Sequence, residues 1–218
     1  MKVTLIEHTK LSNVAQAIRT CWQSQDKGGR YPQPTDDLVD VDKKLIDRVV
    51  NKFKHESTVE HAVYTFHIQG VSRALLQEFS RHRLASPSVK SSRYTLKELK
   101  EHPPFIHFVG LDPVYRFDEA ESFVKLTGNP TVDIAIVDAL ESLRDLVSQG
   151  VSNDLTKYAM PEAYLVDLVW TINARSLRNF IKLRSSKDAL WEIRELAKEL
   201  FDVLPEQHKF LFKDCLNV

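Results

Sequence analysis

Between Arg81 and Tyr94 the chain runs Arg-His-Arg-Leu-Ala-Ser-Pro-Ser-Val-Lys-Ser-Ser-Arg-Tyr, with four cations, one histidine and four serines in fourteen positions. Forked guanidiniums, hydroxyls and free backbone N–H groups suit phosphates and planar polar rings. The residues just upstream would present them. Val71, Leu75 and Phe79 recur at i, i+4 and i+8, which predicts an amphipathic helix over 71–80. Arg73, Gln77 and Arg81 keep the same spacing on a second face, with Glu78 beside Arg81. Pro87 forbids further helix and drives Ser86 towards an extended conformation. A cationic helix end running into an extended, serine-rich turn is the expected arrangement. A solvated basic surface has the same composition, and spacing alone does not separate the two.

Two further stretches carry polar residues at regular spacing. Asn173 stands where a helix N-cap belongs, after a strand-like run over 164–172 rich in β-branched and aromatic residues. Beyond it Arg175, Asn179 and Lys182 share one helical face, and Ala174, Leu177 and Ile181 another. Taken alone, this is a core helix with a polar rim. His55-Glu56-Ser57-Thr58-Val59-Glu60-His61 sets two histidines six apart with carboxylates between them. HExxH spacing, which places both histidines on one helix face, is absent, so no metal site is expected. His67 reads as an ordinary strand residue, and Lys157, before Tyr158-Ala159-Met160-Pro161, as an ordinary surface lysine.

Arg81-His82-Arg83, seven residues, then Ser91-Ser92-Arg93-Tyr94 resembles the signature of the flavin-dependent thymidylate synthases. The run from Thr171 to Arg184 resembles that family's second signature, and the likeness extends over most of the chain. It implies FAD contacts at His55, Ser57, Glu60, Arg81, His82, Arg83, Asn173, Arg175 and Asn179. It implies dUMP contacts at Arg73, Glu78, Arg81, Ser91, Ser92, Arg93, Lys157 and Arg184, with Arg184 facing the uracil ring as the catalytic residue. The implied reaction is a methyl transfer: 5,10-methylenetetrahydrofolate gives its methylene to dUMP, reduced FAD supplies hydride, NADPH regenerates the flavin, and dTMP results. A homotetramer with sites shared between subunits is also implied. Three places depart from the pattern. Val89 stands where members often carry Glu or Gln. Gln77-Glu78 replaces an Arg-Gln pair found in some. Cys21 sits in an Arg-Thr-Cys segment that often has Ser.

The elements that must position these residues follow from periodicity. Residues 1–8 read as a strand, 11–22 as a helix, and 26–36, with Gly28, Gly29, Pro32 and Pro34, as a loop. Leu45, Ile46, Val49, Val50 and Phe53 mark a helix capped near Asp42. Ala62, Tyr64, Phe66 and Ile68 alternate with Val63, Thr65 and His67 in a half-buried strand that Gly70 should end. Residues 96–100 suggest a short helix and 105–109 a strand. Helices are expected over 113–126, with Asp112 as cap and Pro113 at its first position, and over 131–148, stopped by Gly150. Two amphipathic helices close the chain, over 189–204 and 206–212. The fold class expected is α+β: a mixed sheet from strands near 1–8, 59–70 and 164–172, flanked by helices. It would be a single domain over 1–218, with the thymidylate synthase-complementing protein fold that the resemblance implies.

Composition sets the outer limits. Thirty Lys and Arg balance thirty Asp and Glu, so no bulk attraction to nucleic acid or an anionic membrane is expected, and any anion site must be local. No apolar run reaches membrane-span length, and Cys21 and Cys215 form neither CxxC nor a disulfide framework, so a cytoplasmic location is expected. With six Gly and no Rossmann or P-loop pattern, a flavin would need a site built from the polar segments above. Two other readings stay open at this level: a polyanion-binding module built on the basic stretch, and a cysteine-dependent enzyme using Cys21 or Cys215.

Overall fold

A computed structural model describes residues 1–29, 38–91 and 96–216. In chain order its strands are β1 (Lys2–His8), β2 (Val63–Ser72), β3 (Ala85–Val89), β4 (Ile106–Val109), β5 (Asp112–Tyr115) and β6 (Leu165–Asn173). The longer helices are α1 (Leu11–Cys21), α2 (Asp40–Asp47), α3 (Arg73–Phe79), α4 (Pro130–Ser148), α5 (Ala174–Arg184) and α6 (Trp191–Asp202). The fold is α+β, with a four-stranded sheet in the order β1-β2-β6-β3 and a separate β4-β5 hairpin. No described helix is long and apolar enough to cross a membrane. The contacts group the chain into two units. One holds Met1–Ile68, Phe79–Ser88 and Val169–Val218; the other holds Gln69–Glu78 and Val89–Leu168.

In the first unit the period-two pattern of β2 is realised: Tyr64, Phe66 and Ile68 are fully buried, while Val63, Thr65 and His67 are half-buried. Trp170 of β6 lies 4.4 Å from the Phe79 ring and 5.1 Å from Phe180 of α5. These three buried rings fix α5 to the sheet. Replacing one such ring by Ala typically removes about 3–5 kcal/mol. Helix α1 buries Leu11, Val14, Ala15 and Ile18.

Asp42 is not a cap, as sequence spacing had predicted. Helix α2 starts at Asp40, with no side-chain cap at Val39. Asp42 lies fully buried in its first turn and takes Arg19 Nε at 2.7 Å and the Gly29 N–H at 3.0 Å. A buried carboxylate needs such a partner, and Arg19, itself only 4% exposed, supplies it. The predicted helix through Phe53 ends in a wider π turn over Arg48–Lys52. The predicted loop over 26–36 falls mostly outside the described residues.

In the second unit Leu96, Leu99, Phe105, Val124, Val137, Leu140 and Leu143 form the core around α4. Asn129 caps α4 by accepting from the Thr131 and Val132 N–H groups, and Gly150, with φ of 80°, follows its end as predicted. The expected helix over 113–126 is absent. Asp112 and Pro113 instead pair across the hairpin with Val109 and Phe108, and only Phe117–Ala120 is helical. Gly110, with φ of 67°, makes the turn that reverses the chain. Gly70 does not end its strand either: β2 runs on to Ser72, with Gly70 in the left-handed region and its N–H on Asp167 Oδ1 at 2.8 Å. Helix α3 stops at Phe79, so Arg81 lies beyond it and does not extend the Arg73–Gln77 face.

Candidate functional site

The first unit carries a cleft of about 690 Å³ built mainly from two segments about a hundred residues apart, with Glu56 from a third. Ile172 ends β6, and Asn173, in extended conformation, accepts the Ser176 N–H on Oδ1 at 2.9 Å. That cap starts α5 and sets its rotation. Arg175 and Asn179, four residues apart, then face the cleft with Leu183 and Arg184, while Leu177, Phe180 and Ile181 are buried behind them. Across from α5 the other wall is Arg81, His82, Arg83 and Leu84, on the turn between α3 and β3. Arg184 Nε donates to His82 Nε2 at 3.0 Å, and the His82 ring packs edge-on against Phe180 at 4.6 Å.

Glu56 is the only acid lining this cleft among the described residues. Glu60, on the same short helical turn (Glu56–His61), pairs with Arg175 at 2.6 Å; both are about half exposed. That hydrogen bond holds the Arg175 guanidinium above its ordinary pKa. His55 and Ser57 are exposed and are not among the lining residues; the His55 ring lies 6.2 Å from Phe53. The cleft therefore gathers five of the nine residues expected for the flavin, Arg81, His82, Arg83, Arg175 and Asn179. Asn173 and Glu60 act one step back, on the helix start and on Arg175.

The residues expected for the nucleotide divide between the units. Arg81 and Arg184 belong to the first cleft. Arg73 and Lys157 together line a second one, of about 730 Å³, in the second unit with Asp154, Tyr158 and Glu162. Arg73 starts α3 with its N–H on the Tyr164 carbonyl at 3.0 Å, and its buried side-chain Nε has no hydrogen-bond partner among the described residues. A buried guanidinium N–H without an acceptor is the feature an anionic ligand would complete. Ser91 is exposed, one residue after Lys90, whose N–H bonds the Asp167 carbonyl at 2.8 Å. Glu78 is half-buried near the end of α3. Ser92 and Arg93 lie outside the described residues.

Sequence reasoning missed Glu56, Ser176 and Arg178. Arg178 is 4% exposed and bonds Glu56 and Asp214. Its signal was in the sequence: an arginine between Leu177 and Phe180, on the apolar face of α5, has to be paired.

The cysteines do not resemble a nucleophilic site. Cys21 is exposed, and Cys215 is buried with its thiol pushed up to about 12, first by burial, against the opposing pull of Arg178. A thiol held protonated is inert at neutral pH.

The family model described as "Thymidylate synthase complementing protein" matches residues 4–208. The flavin-dependent thymidylate synthase of Campylobacter jejuni (strain RM1221) is 54% identical over 217 residues, covering 100% of this chain and 98% of the relative. This chain belongs to the flavin-dependent thymidylate synthase family. Another member, from Wolinella succinogenes, is 53% identical over 217 residues, again across 100% of this chain and 98% of the relative. The crystal structure of thymidylate synthase X from Helicobacter pylori, solved with FAD and dUMP, superposes with a TM-score of 0.88 at 49% identity, covering 100% of both chains.

Proposed function

We propose that this chain converts dUMP to dTMP with 5,10-methylenetetrahydrofolate as carbon donor, FAD as the bound redox cofactor and NADPH as the source of electrons. The observation that carries this reading is the meeting of the Arg-His-Arg segment with α5 in one cleft, where Arg184 Nε bonds His82 Nε2 at 3.0 Å. The donor set fits a flavin dinucleotide. Arg81, Arg83 and Arg175 offer guanidiniums to a pyrophosphate, and Asn179 offers an amide that pairs with the edge of a polar ring. When bound, the flavin supplies hydride transfer, and the protein's part is to hold and orient.

Arg184 is the catalytic residue in this reading. Carbon C5 of uracil is a poor nucleophile, and a guanidinium fork at the N3/O2 edge stabilises the N3-deprotonated, enolate-like ring that makes C5 reactive. His82 restricts the guanidinium through Nε. Arg73, Ser91 and Lys157 hold the nucleotide phosphate, with Ser92 and Arg93 of the same signature, by charge-assisted hydrogen bonds of about 1.5–3 kcal/mol each. Glu78 and Arg81 complete the nucleotide set. His55, Ser57, Glu60 and Asn173 support the flavin, Glu60 through its 2.6 Å pair with Arg175 and Asn173 through the cap of α5.

The whole chain acts as one synthase domain, assembled as a homotetramer in the cytoplasm and working on small molecules rather than on nucleic acid or membrane. Leu155 and Tyr158, 65% and 92% exposed beside Lys157, are the kind of apolar surface that a neighbouring subunit covers. The test is the visible spectrum of the purified protein followed by a dTMP assay. Flavin absorbance should stay with the protein, and turnover should require both NADPH and the folate. dTMP formation by flavin-free protein, or unchanged turnover without NADPH, would overturn the reading.

A further inference from the structure

Glu56 and Arg178 belong to neither ligand set, yet they form an acid–base pair at the first cleft whose arginine is buried and held by further partners. Arg178 Nε and Nη2 both donate to Glu56 Oε1, at 3.3 and 3.1 Å. On its other side Nη2 meets the two Asp214 oxygens at 2.9 and 3.1 Å, and Nη1 donates to the Leu211 carbonyl. Burial works against the Arg178 charge, but Asp214 and Glu56 outweigh it and hold the guanidinium above its ordinary pKa. Asp214 therefore compensates the buried cation even without Glu56.

What remains of Glu56 faces the cleft. Its side chain is 32% exposed, and both arginine bonds fall on Oε1, leaving Oε2 without a hydrogen bond among the described residues. Arg81, Arg83, Arg175 and Arg184 line the same cleft. A negative charge among them weakens the attraction for a pyrophosphate, so a carboxylate fixed there needs a compensating use. An oriented oxygen that accepts from a neutral donor of the same ligand is such a use.

We propose that Glu56 contacts the bound dinucleotide, accepting through Oε2 from one of its hydroxyl or N–H groups, and that Arg178 is the positioning residue that aims it. The proposal rests on reading this cleft as the FAD site.

FAD binding, followed by flavin fluorescence, is compared in the wild-type chain and in Glu56→Ala, Glu56→Gln, Arg178→Lys and the Glu56→Ala/Arg178→Lys pair. A wild-type chain that binds no FAD removes the reading of the cleft itself. If it binds, Glu56→Ala should weaken FAD by about tenfold or more, with Glu56→Gln, which keeps an oxygen acceptor, in between. If Glu56 only neutralises Arg178, loss of its charge leaves affinity for the polyanion unchanged or tighter, and that result overturns the proposal. Arg178→Lys should weaken FAD when Glu56 is present and have no further effect when it is absent. Equal losses in both backgrounds would make Arg178 merely structural. Thermal unfolding checks the folding of each variant, and if Arg178→Lys does not fold, the two Glu56 variants decide.

Discussion

Arg184 and His82 hold one another: the guanidinium assigned to the pyrimidine donates Nε–H, at 3.0 Å, to the imidazole assigned to the flavin. Nε2 must be unprotonated to accept, so the neutral ring carries its proton on Nδ1. Phe180, edge-on at 4.6 Å, fixes the plane of that ring. The two residues are separated by 101 others in sequence. They meet because Trp170, Phe79 and Phe180 pack the chain on either side of them into one core.

This arrangement makes Arg184 a fork with its direction set before substrate arrives. Arg184→Ala should lower kcat and kcat/KM together, by roughly 10²–10³, the usual cost of removing one donor that stabilises developing negative charge. Arg184→Lys keeps the charge but loses both the fork and the Nε–H to His82, and should recover little. His82→Ala leaves the guanidinium in place but unaimed, so its loss in kcat should be smaller than that of Arg184→Ala. Steady-state dTMP formation measures all three. If Arg184→Ala raised KM alone, its catalytic role would be wrong.

Asn173 caps α5, and the proposed function gives it a second, flavin-binding role that substitutions can separate from the first. Its Oδ1 caps α5 at the Ser176 N–H, a contact whose removal costs about 1 kcal/mol. Its carboxamide N–H₂ is the part left for flavin. Asn173→Ser and Asn173→Asp should both keep the cap and the unfolding temperature, and both should weaken FAD binding. Asn173→Ala should lose stability as well as affinity. Equal affinity in Asn173→Asp and wild type would remove Asn173 from the flavin set and leave it a cap alone.

The parts of the fold that sequence disclosed are those where one local rule acts unopposed. Tyr64, Phe66 and Ile68 alternate because only one face of β2 is buried in the first unit, and Asn173 caps because its short side chain brings Oδ1 to the Ser176 N–H three residues on. The parts that stayed hidden are those where two rules compete. Asp112-Pro113 carries both helix-start signals, but Gly110 takes a left-handed turn and pairs the segment with β4 instead. A proline is tolerated there because Phe108, its partner, lies on an exposed hairpin. Asp42 looks like a cap from spacing, and only the tertiary position of Arg19 shows it to be a buried counter-ion. Within the site, motif residues were legible, whereas Arg178 depends on Leu211 and Asp214, more than thirty positions further on.

Neither cysteine should be needed for turnover. The Cys215 thiol is buried and pushed up to about 12, and Cys21 is exposed on the last residue of α1, outside both clefts among the described residues. The Cys21→Ser/Cys215→Ala double variant should keep turnover within about tenfold, under roughly 1.4 kcal/mol of barrier. In the native protein, iodoacetamide should label Cys21 and spare Cys215 until the chain is unfolded. Ser91→Ala should retain measurable activity, since the proposed function gives Ser91 a binding role alone and no adjacent general base is expected to make it a nucleophile. A protein–nucleotide adduct on any of these three residues, forming and decaying at the turnover rate, would reverse this assignment.

His208 gives the fold a defined weakness to acid. Its ring is fully buried, bonded through Nδ1 to Tyr64 Oη at 2.9 Å and set edge-on to His8 at 4.8 Å. Burial, with a smaller repulsion from His8, pushes its pKa down to about 3 from an ordinary 6.5. A depressed histidine is neutral when folded but gains a proton when unfolded, so the unfolded chain binds more protons between these two values. Stability should therefore fall as pH drops below about 6.5, and continue to fall until about pH 3. Between pH 7.5 and 5.5 this one group should remove about 1.4 kcal/mol, or roughly 2–4 °C of melting temperature for a chain of this size. Asp214, held below the ordinary carboxylate range by Arg178 and Lys54 against the effect of burial, adds its own loss only at lower pH, as its carboxyl begins to protonate. Calorimetry at the two pH values, on the wild-type chain and on a His208→Gln variant, separates this histidine from the seven others. His208→Gln keeps a polar partner for Tyr64 but cannot titrate, so its melting temperature should change less than that of wild type over this interval. Equal shifts in the two proteins would show that another group sets the acid limit.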